Sequence, residues 1–520
     1  MARSSGAMLR SDRALLAILS VALAGCATSA LDLAPERPDR PWVPATTPTG
    51  EIIPGKKESS PTGAPGRPDF TLPVNTALGK VPAPPDIDPD HACSLAELID
   101  IAQSNNSLAR TAWNNARQAA LAAGIAKSAY LPNLTASVVG GYQSFHDRAT
   151  VLGTNASGDT TGNGIVPAVS IQWLLFDFGE RTAVLNAAQQ TSVISNIGFS
   201  AVHQQVIYGV TLAYYAETAA RARVETAARS LDNARNVQIA AEERYAHGVG
   251  TVVEVAQARQ ATAQAQLVQV QAQGVAQDAY LALISVMGIS PLTRLRVADL
   301  PERRLPSTET DSIEHIVSDA LGRRPDVLAA YAAQQASQDN VRAARAEFLP
   351  KVFLSGTGAY NSARLNVTAI PAIGQQASEI ANLTGNRFGA TVFLGITVPV
   401  YDGGLRAAVL EQARAKADNA GVALIHTREE AVRQVVAAEN GLKTSLSSHS
   451  AATSLNSAAE TTFEAALAAY RNGVGSITDA TVAQTQLLQA KNASTDAYSA
   501  SLSAAATLAL AVGALGSAPQ

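Results

Sequence analysis

Lys127-Ser128-Ala129-Tyr130-Leu131-Pro132 returns 218 positions later as Arg345-Ala346-Glu347-Phe348-Leu349-Pro350, and the reading of this pair decides the fold. In each copy an Ala-rich helical pattern stops at Leu-Pro. Beyond the proline, apolar and polar residues alternate, which is the change from a helix period to a strand period. Two more echoes follow in the same order, both 225 positions apart. Leu175-Phe176-Asp177-Phe178-Gly179 matches Val400-Tyr401-Asp402-Gly403-Gly404. Tyr245-Ala246-His247-Gly248-Val249-Gly250-Thr251-Val252-Val253-Glu254 matches Tyr470-Arg471-Asn472-Gly473-Val474-Gly475-Ser476-Ile477-Thr478-Asp479. Three matches in one order mark a duplicated structural unit. The change of spacing between the first and second echo falls in a Gly-, Asn- and Thr-rich stretch, where a loop absorbs it.

Each unit reads as helix, strand, loop, strand, long helix, tight turn, helix. The first helix is predicted over 94–129 and its counterpart over 312–348, each ended by its Leu-Pro. The strand from Asn133 puts Leu134, Ala136, Val138 and Tyr142 on one face and Asn133, Thr135, Ser137 and Gln143 on the other. Before Asp177, Val169, Ile171, Trp173 and Leu175 oppose Ala168, Ser170 and Gln172. In the second unit Val352, Leu354 and Tyr360 oppose Ser355, Thr357 and Asn361; Phe388, Val392, Leu394, Ile396 and Val398 oppose Arg387, Thr391 and Thr397. An apolar face backed by small polar residues suits a transmembrane β-barrel wall, with lipid outside and water within. A soluble sheet with one wet face carries the same alternation.

Aromatic residues favour the barrel. Tyr130, Phe176, Phe178, Phe348 and Tyr401 gather at one end of the strands, and Tyr142, Phe145, Tyr360 and Phe388 toward the other. That is the distribution of two interfacial girdles. Residues 146–163 and 362–386 read as loops at the external end. Four strands cannot close a barrel, and an open edge in lipid leaves backbone amides unsatisfied, so the chain is expected to oligomerise. A trimer would supply twelve strands around a lumen.

None of the 24 prolines lies between Pro167 and Pro291 or between Pro399 and Pro519. Within these tracts helices are predicted over 179–246 and 404–471, each about 100 Å long. Their abundant alanine lets neighbours approach closely, so they should pack side by side into a bundle or tube. Both start at a glycine-containing turn directly after a strand, which makes barrel and helices continuous.

Fourteen of the 24 prolines precede His91, and residues 26–93 read as an unpacked Pro-rich tether. Ahead of it, Arg3, Arg10 and Arg13 form a positive n-region, and Ala14 to Ala22 an apolar h-region too short to span a bilayer. Residues 1–25 are expected to be a signal peptide. Its Leu23-Ala24-Gly25-Cys26 ending resembles a bacterial lipobox, which implies a lipid on Cys26; Ala27 resembles the lipoproteins sent on to the outer membrane. The net charge is −4, or about −6 after signal removal, and nothing points to nucleic acid. Cys93 then has no partner for an intrachain disulfide, and reads as a small residue beside the first helix.

These residues resemble the TolC-type outer membrane factor (outer membrane efflux protein) family, in its lipoprotein branch, over residues 94–516. The resemblance rests on the two Leu-Pro breaks, the strand-Asp-Gly exits and the paired Gly-Val-Gly turns. It implies an α+β membrane protein in which four strands per chain contribute to a trimeric twelve-stranded transmembrane β-barrel. A long α-helical coiled-coil tunnel would continue the barrel into the periplasm, built from repeat 1 (94–290), an inter-repeat equatorial segment (291–311) and repeat 2 (312–520). It implies an outer membrane, lipid-anchored location in a Gram-negative bacterium. The function implied is a passive exit duct for small molecules. Its partners would be a periplasmic adaptor (membrane fusion protein) and an inner-membrane transporter of the RND, ABC or MFS type. Polypeptide export in a type I secretion system is the alternative. A lipid-anchored structural coiled-coil protein that conducts nothing is a rival of another class, against which the amphipathic strands and girdles weigh.

The resemblance also assigns residues. Gly248, Val249, Gly250 and Thr251, with Gly473, Val474, Gly475 and Ser476, match the periplasmic tips where adaptor hairpins dock. Glu254 and Asp479 match acidic positions near the tunnel mouth; without that match they are acids in a helix's first turn, favoured by its dipole. The family pattern has a second acid where this chain has Val482, and some members carry a basic residue in place of Gly475. A ring of three carboxylates is therefore expected in place of a double ring tied by salt bridges. The tether, long for such a lipoprotein, is expected to run as an extended strap along the equator.

Other signals carry no chemistry. Gly50-Glu51-Ile52-Ile53-Pro54-Gly55-Lys56-Lys57 nearly matches a phosphate-binding loop, but Lys57 stands where Ser or Thr must bind magnesium. No His pair has metal-ligand spacing, and Met287 is the one methionine beyond the signal peptide. No nucleophile elbow occurs. No enzyme activity, metal or cofactor is expected apart from the covalent lipid.

Overall fold

The computed structural model describes residues 34–35, 38, 44–57, 70–72, 74–75, 77–79, 87–151, 154–300, 312–360 and 388–516. The chain divides into two compact units, Met1–Pro84 and Pro85–Gln520. In the first, β1 (Pro44–Thr46) and β2 (Ile52–Lys57) pair antiparallel. The near-match to a phosphate loop is thus mostly strand. The signal peptide, Cys26 and most of the strap lie outside the described residues.

The second unit runs β3 (Ala92–Cys93), α1 (Leu95–Asn105), α2 (Ser107–Ser128), β4 (Asn133–Val151), β5 (Thr154–Phe176), α3 (Glu180–Ala246), α4 (Val252–Met287) and β6 (Arg296–Val297). It continues with α5 (Ile313–Arg323), α6 (Pro325–Ala346), β7 (Lys351–Tyr360), β8 (Phe388–Thr397), α7 (Leu405–Arg471) and α8 (Ile477–Ala511). The expected single helices over 94–129 and 312–348 are each two helices. Pro325 forces Arg324 out of the helical region, and Asn106 takes the same extended backbone while its side chain caps Leu108 N. The two breaks serve one joint. Asn106 Nδ2 donates to Val286 O at 2.9 Å in repeat 1, and Arg324 Nη1 donates to Ala511 O at 3.0 Å in repeat 2. Each break is thereby pinned to the last turn of the helix that returns from the tip, α4 or α8.

An apolar cluster surrounds each joint. In repeat 1 Leu98 and Ala102 of α1, Val210 and Tyr214 of α3 and Ile284 and Met287 of α4 are buried together, with Cys93 and Val297 from the parallel pair β3–β6. In repeat 2, Ala320, Val435 and Ala511 form a smaller counterpart. Ala511 brings the last residue of α8 into this cluster.

The strands form one antiparallel sheet in the order β4-β5-β7-β8. Leu134, Ile171, Gly356 and Val392 lie abreast on one face, and Thr135, Ser170, Thr357 and Thr391 on the other. The apolar face is open, with Val138 71 % and Leu394 70 % exposed in the single chain. Two details differ from expectation. A register shift between Leu174 and Phe176 puts Phe176, in place of Leu175, opposite Val352 on the apolar face. Residues 146–151 and 154–163 are strand where a loop was expected: β4 and β5 stay paired from Asn133↔Gln172 to Val151↔Thr154. Ladder hydrogen bonds need only backbone, so a ribbon with polar residues on both sides reads as loop by composition yet pairs as strand. The 362–386 segment lies outside the described residues.

Helices α3 and α7, 67 residues each, organise the rest. α3 packs against α2 and α6 on the strand side of the joints and against α4 and α8 beyond them; α7 packs against α6 and α8. Ala220, Ala227, Ala234 and Ala241, all buried, recur every seven residues along α3. A small residue at each heptad lets the helix axes come close, and a strict seven-residue seam gives a left-handed supercoil.

Sheet and helices meet at Asp177-Phe178-Gly179-Glu180-Arg181 and Asp402-Gly403-Gly404-Leu405-Arg406. Asp177 Oδ2 accepts from Arg181 N and Nε, both at 2.8 Å. Arg181 Nη1 also donates to Leu174 O at 2.6 Å and Ala129 O at 3.0 Å, so one guanidinium ties the end of β5, the end of α2 and the start of α3. Asp402 repeats the motif, accepting from Arg406 N at 3.1 Å and Nη1 at 2.8 Å. Burial pushes the Asp177 carboxyl up, but the Arg181 N–H groups and charge outweigh it and hold it below the usual range. The pair therefore stabilises the fold above the unfolded-state carboxyl range, and that contribution is lost as pH falls through the lower folded value.

Side-chain exposure is 11 % and 7 % for Arg181 and Asp177, against 31 % and 23 % for Arg406 and Asp402. Arg181→Met should lower the heat-dissociation temperature of the purified protein by about 5 °C or more, since it strands a buried carboxylate. Arg406→Met should lower it less, and the Arg181→Met deficit should shrink in acid as Asp177 takes up a proton. Equal effects of the two variants would contradict this account of the junction.

Candidate functional site

The far ends of α3–α4 and α7–α8 are two reversals of matching geometry. In the first, Gly248 N donates to Tyr245 O, and Val249 N and Gly250 N both donate to Arg244 O, all at 3.0 Å. In the second, Gly473 N donates to Tyr470 O at 3.1 Å, and Val474 N and Gly475 N donate to Ala469 O at 3.0 and 3.1 Å. The two glycines of each Gly-Val-Gly do different things. Gly248 and Gly473 hold φ of 78° and 77°, left-handed values that a side chain resists. Gly250 and Gly475 leave room: a Cβ there would lie 2.9 Å from Tyr245 N or from Ala469 Cβ. Between them Val249 and Val474 point outward, 66 % and 83 % exposed.

Thr251 and Ser476 start the returning helices as N-caps, and Glu254 and Asp479 complete a capping box at each. Glu254 Oε2 accepts from Thr251 N at 3.0 Å while Thr251 Oγ1 accepts from Glu254 N at 3.2 Å. Asp479 Oδ2 accepts from Ser476 Oγ at 2.7 Å and from Ser476 N at 3.3 Å. Both carboxylates of the predicted mouth thus have a local task in starting a helix. Each uses one oxygen for it.

The structure brings the two reversals together on a shared core. Val237, Ala240 and Ala241 of α3, Val255 and Ala258 of α4, Ile477 and Ala480 of α8 and Tyr470 at the end of α7 are buried as one cluster. Tyr470 is 0 % exposed, whereas its duplicate Tyr245 is 50 % exposed. Burial pushes the Tyr470 phenol up; the Glu254 carboxylate adds to this and the Arg244 guanidinium opposes it. Arg244 reaches from the end of α3 to the second reversal, where Nη1 donates to Tyr470 O at 3.2 Å. The sequence reading passed over Arg244, Arg181 and Arg406. The arginines of the junction were visible as a repeated Asp-x-Gly-x-Arg. Arg244 was visible only as a break in the echo, since Ala469 stands at the matching place. Cys26 lies outside the described residues. Among the described residues no group of three or more His, Cys, Asp or Glu could hold a metal ion.

A family model described as outer membrane efflux protein matches residues 98–289 and 316–514. Protein CyaE of Bordetella pertussis is 30 % identical over 412 residues, which cover 79 % of this chain and 82 % of CyaE. Pyoverdine export outer membrane protein OpmQ of Pseudomonas aeruginosa is 30 % identical over 269 residues, 51 % of this chain and 56 % of OpmQ. Among solved structures, the outer membrane protein VceC of Vibrio cholerae superposes with a TM-score of 0.67 at 22 % identity, covering 81 % of this chain and 96 % of VceC. At that identity the likeness is one of fold.

Proposed function

The chain belongs to the outer membrane efflux protein family, and from that premise we propose that it is the exit duct of a tripartite efflux pump. It resides in the outer membrane as a channel of the barrel-and-helical-tunnel fold. The finer reading is of a homotrimer, tethered by lipid on Cys26, that passes small molecules delivered through a periplasmic adaptor by an inner-membrane transporter of the RND, ABC or MFS type. One observation carries it. An apolar-faced sheet with unpaired edges runs through Asp177-Arg181 and Asp402-Arg406 into helices of 67 residues that end at exposed reversals. The name of OpmQ, a pyoverdine export protein, supports a small-molecule cargo. As a duct the chain needs no catalytic group of its own.

Edges β4 and β8 need partners in lipid. Native mass spectrometry in detergent should find three chains, each starting at an acylated Cys26. A stable monomer, or an unmodified N-terminus elsewhere, would remove the trimer or the anchor from the proposal.

Adaptor contact is proposed at Gly248–Thr251 and Gly473–Ser476, a reading supported by the exposed apolar side chain at the apex of each turn. Val249→Asp combined with Val474→Asp should cut export from cells at least about tenfold with assembly intact, since each puts a charge where a partner must bury a methyl surface. Undiminished export would move docking elsewhere.

Glu254 and Asp479 are proposed to form the acidic constriction. Three-fold symmetry gathers three copies of each carboxylate near one axis, and their field favours cations. Asp479→Asn with Glu254→Gln keeps an oxygen acceptor for each cap and removes the charge. The reversal potential of single channels across a salt gradient should shift toward zero. An unchanged potential would leave both residues as helix-start carboxylates alone.

A further inference from the structure

Arg244 breaks the duplication at the tips, since Ala469 holds its place in the second repeat. Its backbone belongs to the first reversal, because Arg244 O accepts from both Val249 N and Gly250 N. Its side chain works on both. Nη2 donates to Val249 O at 3.3 Å, Nη1 donates to Tyr470 O at 3.2 Å, and the guanidinium carbon sits 5.1 Å from the centre of the Tyr470 ring. Tyr470 O is the same carbonyl that accepts from Gly473 N at 3.1 Å in closing the second turn. The fit is close: a Cβ added to Gly473 would lie 3.1 Å from Arg244 Nη1. The second turn thus lacks a side chain where the first sends one in.

We propose that Arg244 is the clasp that holds the two helix reversals of one protomer together, and so a positioning residue for the closed mouth. A guanidinium can bridge two carbonyls and lie against a ring at once, because its donors form a planar fork. A lysine ammonium offers a point charge and can serve one carbonyl well. The contacts are also of a kind that can be released. Both acceptors are backbone carbonyls at chain reversals, and Tyr470 O also accepts from Gly473 N, so without the arginine the second turn can still close on its own N–H ladder but opens more often. The shared core of Ala, Val and Ile side chains would hold the hairpins near each other, while the clasp sets their register at the tip. Hydrogen bonds to a charged group contribute more than neutral ones, so its loss should be felt locally by at least about tenfold in an opening equilibrium.

This inference rests on the reading of the reversals as the channel mouth, and the test separates the two. Full-length Arg244→Gln, Arg244→Lys and, as control, Arg235→Gln would be purified. Arg235 is an exposed arginine paired only with Asp232 on its own helix. Hydrogen exchange at the amides of Gly473, Val474 and Gly475 and single-channel conductance without adaptor would be measured on each. Arg244→Gln should speed exchange at these amides at least about tenfold and raise the closed-channel conductance, with Arg244→Lys in between, Arg235→Gln like the wild type and the heat-dissociation temperature little changed. Faster exchange with unchanged conductance would support the clasp and overturn the reading of the tips as the mouth. Exchange unchanged in Arg244→Gln would overturn the clasp.

Discussion

A backbone amide without a partner in hydrocarbon costs several kcal/mol, roughly as much as a whole protein's margin of stability permits for one or two errors. That constraint governs this chain. Its sheet is apolar on the face carrying Leu134, Ile171 and Val392, and it ends at β4 on one side and β8 on the other. A sheet with two open edges is a fraction of a barrel. The helices inherit the arrangement, because Asp177-Arg181 and Asp402-Arg406 turn the chain from strand to helix within five residues. Where strands are placed around a barrel, helices are placed around a tube.

Duplication supplied two copies of each helix and of each strand of the four-stranded sheet, and the structure uses the copies unequally. At the helix breaks the same backbone joint is closed by an amide in one repeat and a guanidinium in the other, Asn106 to Val286 O and Arg324 to Ala511 O. At the tips, Tyr470 fills the shared core while Tyr245 faces out. The difference follows from position. In the single chain α8 packs on α3 and more lightly on α4, so the second hairpin meets the first mainly along its α8 flank. Residues on that flank meet a neighbour within the chain, and their duplicates on the other flank do not. Divergence between the repeats therefore concentrates where a side chain's neighbour changed.

Much of this was legible before any coordinates. The period switch at Pro132 and Pro350, the proline-free tracts and the alternation along four strands depend on backbone sterics and local burial, which act within a few residues. They led to the strands, to both long helices within a residue or so, and to both reversals. Three elements were misread for local reasons too. Arg324-Pro325 was a visible break signal that a helical pattern on both sides obscured. Asn106 carried the same break with no proline to announce it. The polar stretch of β4 and β5 has the composition of loop, and only its pairing shows it as strand.

The sequence by itself determined the elements, their order, their duplication and the family, because each rests on periodicity or on a short motif that the chain carries contiguously. Tertiary structure alone decided the partners. The sequence placed Glu254 and Asp479 three residues past each turn, and the fold made both of them capping-box acids. It placed Tyr245 and Tyr470 at matching points, and the fold buried one. It marked Arg244 only as a break in the echo, and that residue matters because folding brings it to a carbonyl 226 residues away along the chain. Such contacts are decided by which helix lies beside which, and a local pattern contains no record of that.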